Sequence, residues 1–357
     1  MSDVVIAGGG IGGLEAALRI ERATDRHVTV VEPSDSTLFY PSLHRVLEGA
    51  DMDAVRIDLG DRFLDRDIDH VRQRMTGMRP DDHVMELEDR DLEYDTAVVA
   101  VGSRTSYGSI QGTGNVHDLR FRDDTADIAA QVAADSVDDV VIVGGGATGV
   151  EAAASLYAAS TGLRDFSITV LEAADSLLPQ FDAALGQRVA DDYTARGIDV
   201  RTGTRVDCIE PDRVILDTGE AVASDLTVWA GGVSPRPVLA ELGLEHTARG
   251  LPVDRYMRCE GREDVYAIGD AAAYDGKVDR AYYAIAEAKT AAKNIARDLA
   301  GKEPVEHSVG RDPNLIYLGP WDALFALDGW TWRGRIPALM RRIGVEQRYL
   351  WTRRHLL

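Results

Sequence analysis

The chain carries the same opening twice. Residues 4–18 read VVIAGGGIGGLEAAL and residues 140–154 read VVIVGGGATGVEAAA, with ten of fifteen positions identical at an offset of 136. Each copy begins with a β-branched run that suits a parallel strand buried on both faces. Each continues into three glycines at GxGxxG spacing: Gly8, Gly10 and Gly13, then Gly144, Gly146 and Gly149. An Ala-rich helical stretch follows. The first glycine permits a tight turn, the second lets the backbone approach a pyrophosphate, and the third lets helix and strand pack closely. The helix N-terminus then presents free N–H groups and partial positive charge to phosphates. One such turn is weak grounds for a nucleotide site. Here each copy is also followed by a second strand ending in an acid, HVTVVE in Glu32 and FSITVLE in Glu172. An acid about 20 residues on is placed to bind a ribose 2′-hydroxyl. After Glu172 come Ala173, Ala174, Asp175 and Ser176, with no base among them, so NADH is expected in preference to NADPH, whose 2′-phosphate a carboxylate would repel.

The charge balance narrows the partners. The formal net charge is −21, with 41 Asp and 19 Glu against 35 Arg and 4 Lys. Disorder does not follow, because 45% of residues are hydrophobic and the apolar runs are periodic. The expectation is a folded protein with an acidic, Lys-poor surface of the halophilic kind, which repels nucleic acid. The two cysteines, Cys208 and Cys259, form no CxxC and are read as buried, inert thiols. No metal site is expected. The first strand begins at once, leaving no room for a signal peptide, and no apolar run approaches the ~20 residues of a membrane span. The expected location is cytoplasmic, with at most peripheral membrane contact.

Two later segments separate the copies. Residues 94–105, YDTAVVAVGSRT, read as a buried strand ending in a small-residue turn at Gly102, and residues 265–270, VYAIGD, as a strand ending in Gly269 and Asp270. With the first GxGxxG they resemble the two-dinucleotide-binding-domain flavoproteins, in which both strands belong to the FAD domain and the late Asp bonds the ribityl chain. The resemblance implies FAD and NADH as cofactors and gives Asp270 that role; its residue type alone also suits a helix N-cap. The implied fold class is α/β. It has two Rossmann-like dinucleotide-binding domains, one inserted in the other: an FAD domain of residues 1–107 and 246–304, an NADH domain of 108–245, and a small α-containing C-terminal region of 305–357. SDLTVWAGG at 224–232 matches the family's second late strand, and 69–88 and 198–222 read as small antiparallel excursions. A helix over about 280–300 is implied to point its N-terminus at the flavin pyrimidine ring.

Within that family the chain is most similar to type II NADH dehydrogenase, the single-subunit NADH:quinone oxidoreductase. Residues 38–49, LFYPSLHRVLEG, resemble the family's LFQPLLYQVATG segment, which makes Pro41 a flavin-side candidate. GGGATGVE resembles the NADH motif whose Glu lies near the nicotinamide, here Glu151. Glu15 holds the same place in the first copy, so a helix-dipole role stays open for both. The family's AQxxxQQG run, which builds the quinone channel, aligns with Ala281, Tyr282, Ala286, Glu287 and Ala288, so its glutamines are absent. Glu287 is either a proton donor to a quinone, if burial raises its pKa, or a solvated helix residue. Sulfide:quinone oxidoreductases need cysteines beside the flavin, and disulfide reductases need a redox pair; neither pattern is present.

The tail reverses the charge. From Ser308 onward eight arginines stand against four acids, and four of the five tryptophans lie there, Trp321, Trp330, Trp332 and Trp351. Ile336, Leu339, Met340, Ile343, Leu350 and Trp351 follow helical spacing with Arg on the other side. A basic, Trp-bearing amphipathic helix reads as an interfacial membrane anchor over 330–357, as the family resemblance also implies. The same stripe would equally serve to pack on the protein's own acidic body or on a second copy in a homodimer. Three functions therefore remain: a peripheral NADH:quinone oxidoreductase, a soluble NADH-dependent reductase of a small electron-carrier protein, and an NADH-sensing flavoprotein that acts through its tail.

Overall fold

Two five-stranded parallel sheets that share the order of four of their strands carry the two glycine turns. In the first, strands Val265–Ala267, Thr96–Val99, Val4–Ala7, Val28–Val31 and Ile68–Val71 lie side by side in that order. In the second the order is His117–Asp118, Leu226–Trp229, Asp139–Val143, Ser167–Leu171 and Asp199–Arg201. The register repeats too: Val4 pairs with Val28 and Thr96, and Val140 with Ile168 and Leu226. The first sheet draws its edge strand from far along the chain, and the whole second sheet lies between residues 117 and 229. The computed structural model describes residues 4–119, 122–134, 137–163, 166–278, 280–310 and 313–354.

The β-branched openings are buried, as strands covered on both faces must be; in the second sheet Val141 and Val143 pack on the antiparallel strands at Ile209, Val214 and Val222. Helix Ile11–Ala23 follows the first glycine turn and helix Ala147–Leu163 the second. The helix expected over 280–300 spans Ala281–Leu299 and packs against Ile11–Ala23. Small residues permit the approach: a Cβ on Gly12 would lie 3.5 Å from the Ala284 Cβ. Ala288, Ala291, Ala292 and Ile295 of the late helix complete the first core.

The antiparallel excursions form three-stranded sheets, Met75–Arg79, Val84–Leu87 and Asp91–Glu93 in the first half, and Val206–Glu210, Arg213–Leu216 and Ala221–Ala223 in the second. Two boundaries are corrected. Ile68–Val71 and Asp199–Arg201 are the parallel edge strands of the first and second sheets, paired with Val28–Val31 and Ser167–Leu171, and not the starts of excursions. Strands Ser103–Thr105 and Val233–Pro235 pair antiparallel and tie the segments after the two sheets together.

The tail holds more than a helix. Strands Asn314–Gly319, Asp322–Leu327 and Trp330–Gly334 form an antiparallel meander, whose Ile316, Tyr317, Leu318 and Leu324 join the core of the second sheet. Helix Arg335–Arg354 follows. No helix among the described residues is long and apolar enough to cross a membrane.

Candidate functional site

The two glycine turns match atom for atom. Gly8 and Gly144 both adopt φ +110°, and a Cβ on either would meet a carbonyl oxygen, Ala100 at 2.3 Å and Ala230 at 2.5 Å. A Cβ on Gly13 would lie 1.9 Å from the Gly8 carbonyl oxygen, and one on Gly149 1.8 Å from that of Gly144. These four positions hold strand and helix together. Gly10 and Gly146 differ: a Cβ there would meet nothing within 4 Å, so space is open at both helix N-termini. Gly10 caps Ile11–Ala23 without a side-chain hydrogen bond. Open space beside uncapped helical N–H groups is what a pyrophosphate requires, so both turns fit the dinucleotides expected of them.

Glu32 and Glu172 stand at the ends of their second strands and accept from the turns themselves. Glu32 accepts from Gly9 N at 2.9 Å and Ser34 N at 3.1 Å; Glu172 accepts from Gly145 N at 2.6 Å and Ala174 N at 2.7 Å. The sequence motif showed the acid but not this second task, bracing the glycine loop from within.

Behind the first turn, Gly102 takes φ +69° and leads into Ser103, whose hydroxyl donates to the Asp270 carboxylate. Ser103, Asp270 and Lys277 line a cavity of about 160 Å³. Lys277 donates to the Gly269 carbonyl at 2.6 Å and to that of Ala272. Sequence reasoning passed over Ser103 and Lys277; the signal for Lys277 was that it is one of only four lysines and lies seven residues past Asp270.

Glu287 is fully buried. The solvated-helix alternative is thus corrected: the face of Ala281–Leu299 that carries it packs against the Gly269–Asp270 turn. Its carboxylate accepts from Gly269 N at 2.6 Å and from the Tyr274 hydroxyl at 2.7 Å. Burial raises its pKa, while Lys277 and the two hydrogen bonds oppose the rise. Tyr282, at the helix start, is exposed.

Pro41 and Glu151 meet through a residue the sequence did not single out. Arg341 of the tail helix is buried and donates to Glu151 Oε1 at 2.9 Å, to the Pro41 carbonyl at 3.1 Å and to the Leu315 carbonyl at 3.2 Å. Glu151 also accepts from Tyr317 N at 2.9 Å, and the Tyr317 hydroxyl donates to Glu48. His44 lies against Arg341 at 3.3 Å, and its imidazole is pushed down to about 3 by burial and by that guanidinium. Burial raises the Glu48 carboxyl. Glu15, the counterpart of Glu151 in the first copy, pairs with Arg19 at 2.6 Å. The three residues expected to be catalytic therefore fall in two clusters, Pro41 with Glu151 and Glu287 with the Asp270 turn.

The apolar stripe of the tail helix faces outward. Ile336, Leu339, Met340 and Ile343 are exposed, as are Trp321, Trp330 and Trp332. The expected polar side divides: Arg341 turns into the protein, while Arg335 and Arg342 lie at the surface. The side chains of Leu350 and Trp351 lie outside the described residues. Cys259 is buried, with its thiol pushed up to about 12 by burial, and Cys208 is half-buried; both are free thiols.

Two dinucleotide folds, each with its glycine turn open at a helix N-terminus, define an FAD-dependent oxidoreductase with FAD and NADH as its cofactors. A model of the pyridine nucleotide-disulphide oxidoreductase family matches residues 2–288, and the chain belongs to that family. The resemblance to type II NADH dehydrogenase holds. The type II NADH:quinone oxidoreductase of Haemophilus influenzae is 27% identical, with 92% of this chain and 87% of that protein covered. The demethylphylloquinone reductase of Synechocystis is 28% identical over 75% of this chain and 71% of its own length. Among solved structures, NDH2 of Plasmodium falciparum in complex with NADH superposes with a TM-score of 0.88 at 17% identity, covering 99% of this chain and 96% of that chain. The NAD-dependent persulfide reductase of A. fulgidus superposes at 0.80 with 24% identity; 91% of this chain is covered, and it spans 64% of the larger protein. At those identities the superpositions establish the fold.

Proposed function

We propose that this chain is a peripheral NADH:quinone oxidoreductase on the cytoplasmic face of a membrane. FAD lies on residues 1–107 and 246–304, NADH on 108–245, and the region 305–357 meets the membrane. When bound, FAD accepts hydride from the nicotinamide and supplies two electrons to the quinone. The protein's share is positioning. Gly8, Gly10, Gly13 and Glu32 hold the FAD pyrophosphate and ribose, with Gly102, Gly269 and Asp270 along the ribityl chain. Gly144, Gly146, Gly149 and Glu172 hold NADH, and the Glu172 carboxylate rejects a 2′-phosphate. Pro41 and Glu151 border the nicotinamide, and Glu287 borders the acceptor.

The observation that carries the quinone reading is the outward apolar face of Ile336, Leu339, Met340 and Ile343, flanked by exposed Trp330 and Trp332. Such a face suits a lipid surface, where an apolar acceptor dissolves. The quinone-reducing names of the relatives support it. A second reading, reduction of a small carrier protein, is favoured by Tyr282, which stands exposed where the quinone-channel pattern has Gln.

The test is an anaerobic spectrum of the purified protein in high salt, with NADH and then a short-chain quinone added. Bleaching by NADH with rapid return on quinone is expected. Bleaching with only slow return would overturn the acceptor and move the search to protein carriers.

A further inference from the structure

The late helix carries a second feature that the quinone-channel pattern does not account for. Glu287 replaces an amide with an ionisable group, and the chain surrounds it with further polar groups. The Tyr274 hydroxyl, 2.7 Å from Glu287 Oε1, stands 3.4 Å from His307 Nε2. The other ring nitrogen of His307 lies 2.9 Å from Thr290 Oγ1, which itself donates to the Ala286 carbonyl. Thr290 thus accepts from Nδ1, and that contact leaves Nε2 facing the tyrosine. The His307 backbone N–H is anchored on the Arg255 carbonyl at 2.6 Å. Tyr274 and His307 both line a cavity of about 360 Å³, with Val253, Met257, Tyr283 and Val309. The line of groups runs from that cavity to a buried carboxyl against the Gly269–Asp270 turn.

We propose that His307, Tyr274 and Glu287 form a proton relay from this cavity to the acceptor side of the Gly269–Asp270 turn. The inference rests on the quinone reading above and deepens it. NADH brings two electrons and one hydrogen as hydride, and a quinone leaves as a quinol with two hydrogens, so one proton must come from solvent. The His307 imidazole first takes a proton from water in the cavity on Nε2. When Glu287 gives up its carboxyl proton, Tyr274 passes its hydroxyl proton to the carboxylate and takes the Nε2 proton of His307, which returns to the neutral ring. No electron moves along the chain, and each group ends as it began.

The surroundings suit both ends. Burial raises the Glu287 carboxyl and lowers the His307 imidazole, so the carboxyl keeps its proton to higher pH than a free glutamate and the ring gives one up more readily than a free histidine. Lys277 opposes the rise at Glu287, and Asp270 adds to it. At the cavity end Asp254, Arg255 and Asp275 line the wall, and Arg255 is paired with Glu306 at 3.1 Å.

The experiment uses the holoenzyme. An infrared spectrum near neutral pH is expected to show a protonated-carboxyl band that is lost in Glu287→Gln and shifted in Tyr274→Phe, which removes one hydroxyl and keeps the ring. Stopped-flow mixing then separates the halves of turnover. Return of the flavin band on quinone is expected to slow about a hundredfold in His307→Ala, within the range for a general acid, and to recover with added imidazole. Absence of the carboxyl band, or a return that is unslowed in His307→Ala or not rescued by imidazole, overturns the relay. If quinone fails to restore the wild-type flavin, the acceptor reading falls instead, and the infrared band with its Tyr274→Phe shift still decides whether the chain of groups holds a loaded carboxyl.

Discussion

Arg341 Nη2 lies 2.9 Å from Glu151 Oε1, an ion pair across 190 residues that ties the tail helix to the helix behind the second glycine turn. The guanidinium is nearly closed to solvent at 6%, the carboxylate less so at 24%. Removing one member of a buried pair costs about 3–5 kcal/mol, and the exposure of Glu151 puts Arg341→Ala nearer roughly 2–3 kcal/mol. Urea unfolding of Arg341→Ala, Glu151→Ala and the double variant measures this. The double variant is expected to lose less than the sum of the singles. Strict additivity would mean that the Arg341–Glu151 pair contributes no coupling of its own.

Gly13→Ala and Gly149→Ala place the same methyl group 1.9 Å and 1.8 Å from a backbone oxygen in the two turns. Neither turn can absorb it without parting strand from helix. Gly13→Ala is expected to purify without flavin. Gly149→Ala is expected to stay yellow but to resist bleaching by NADH. The reverse pattern in flavin content and NADH titration would exchange the two cofactors between the turns.

His44 makes the tail junction sensitive to acid. Its folded pKa, about 3, lies below its ordinary value of 6.5. Below 6.5 the unfolded chain takes up a proton that the folded protein refuses, so stability falls as pH drops from 6.5 toward 3. The slope is at most about 1.4 kcal/mol per pH unit. Glu48, raised by burial, acts with the opposite sign, favouring the fold as acid protonates it. The informative quantity is therefore the difference between wild type and His44→Gln at each pH. Denaturant midpoints through this window are expected to show a shallower decline for the variant; parallel curves would remove His44 from the account.

The outward stripe can be altered without touching a core. Ile336 is 55% and Leu339 53% exposed, so the double change to Ser is expected to alter stability by under about 0.5 kcal/mol. If the face enters lipid, the lost burial is about 1.5–3 kcal/mol per side chain, a fall of at least about a hundredfold in affinity. Co-sedimentation with anionic phospholipid vesicles, in moderate salt because ions screen the arginines, reads this directly. Unchanged vesicle binding by a stable variant would assign the stripe to a protein partner.

The sequence by itself determined the two glycine turns, the strands that lead into them and the acids that close the second strands. It could do so because those constraints are local: a backbone that must pass within hydrogen-bond range of another strand admits no Cβ, and a strand covered on both faces admits few polar residues. It also determined that the tail helix has an apolar stripe, since periodicity is a property of one segment. Which way that stripe turns was decided only in three dimensions. Arg341 is drawn inward by Glu151, Pro41 and Leu315, which lie on three separate stretches of chain, and the apolar side is left facing out. Glu287 was undecided for the same reason. Helical spacing placed it on Ala281–Leu299, but whether that face met water or the Gly269 turn depended on how the late helix docks on that turn and on a helix that begins at residue 11. Burial and partner, which set the chemistry of an ionisable side chain, are properties of packing between distant segments, and packing fixed them here.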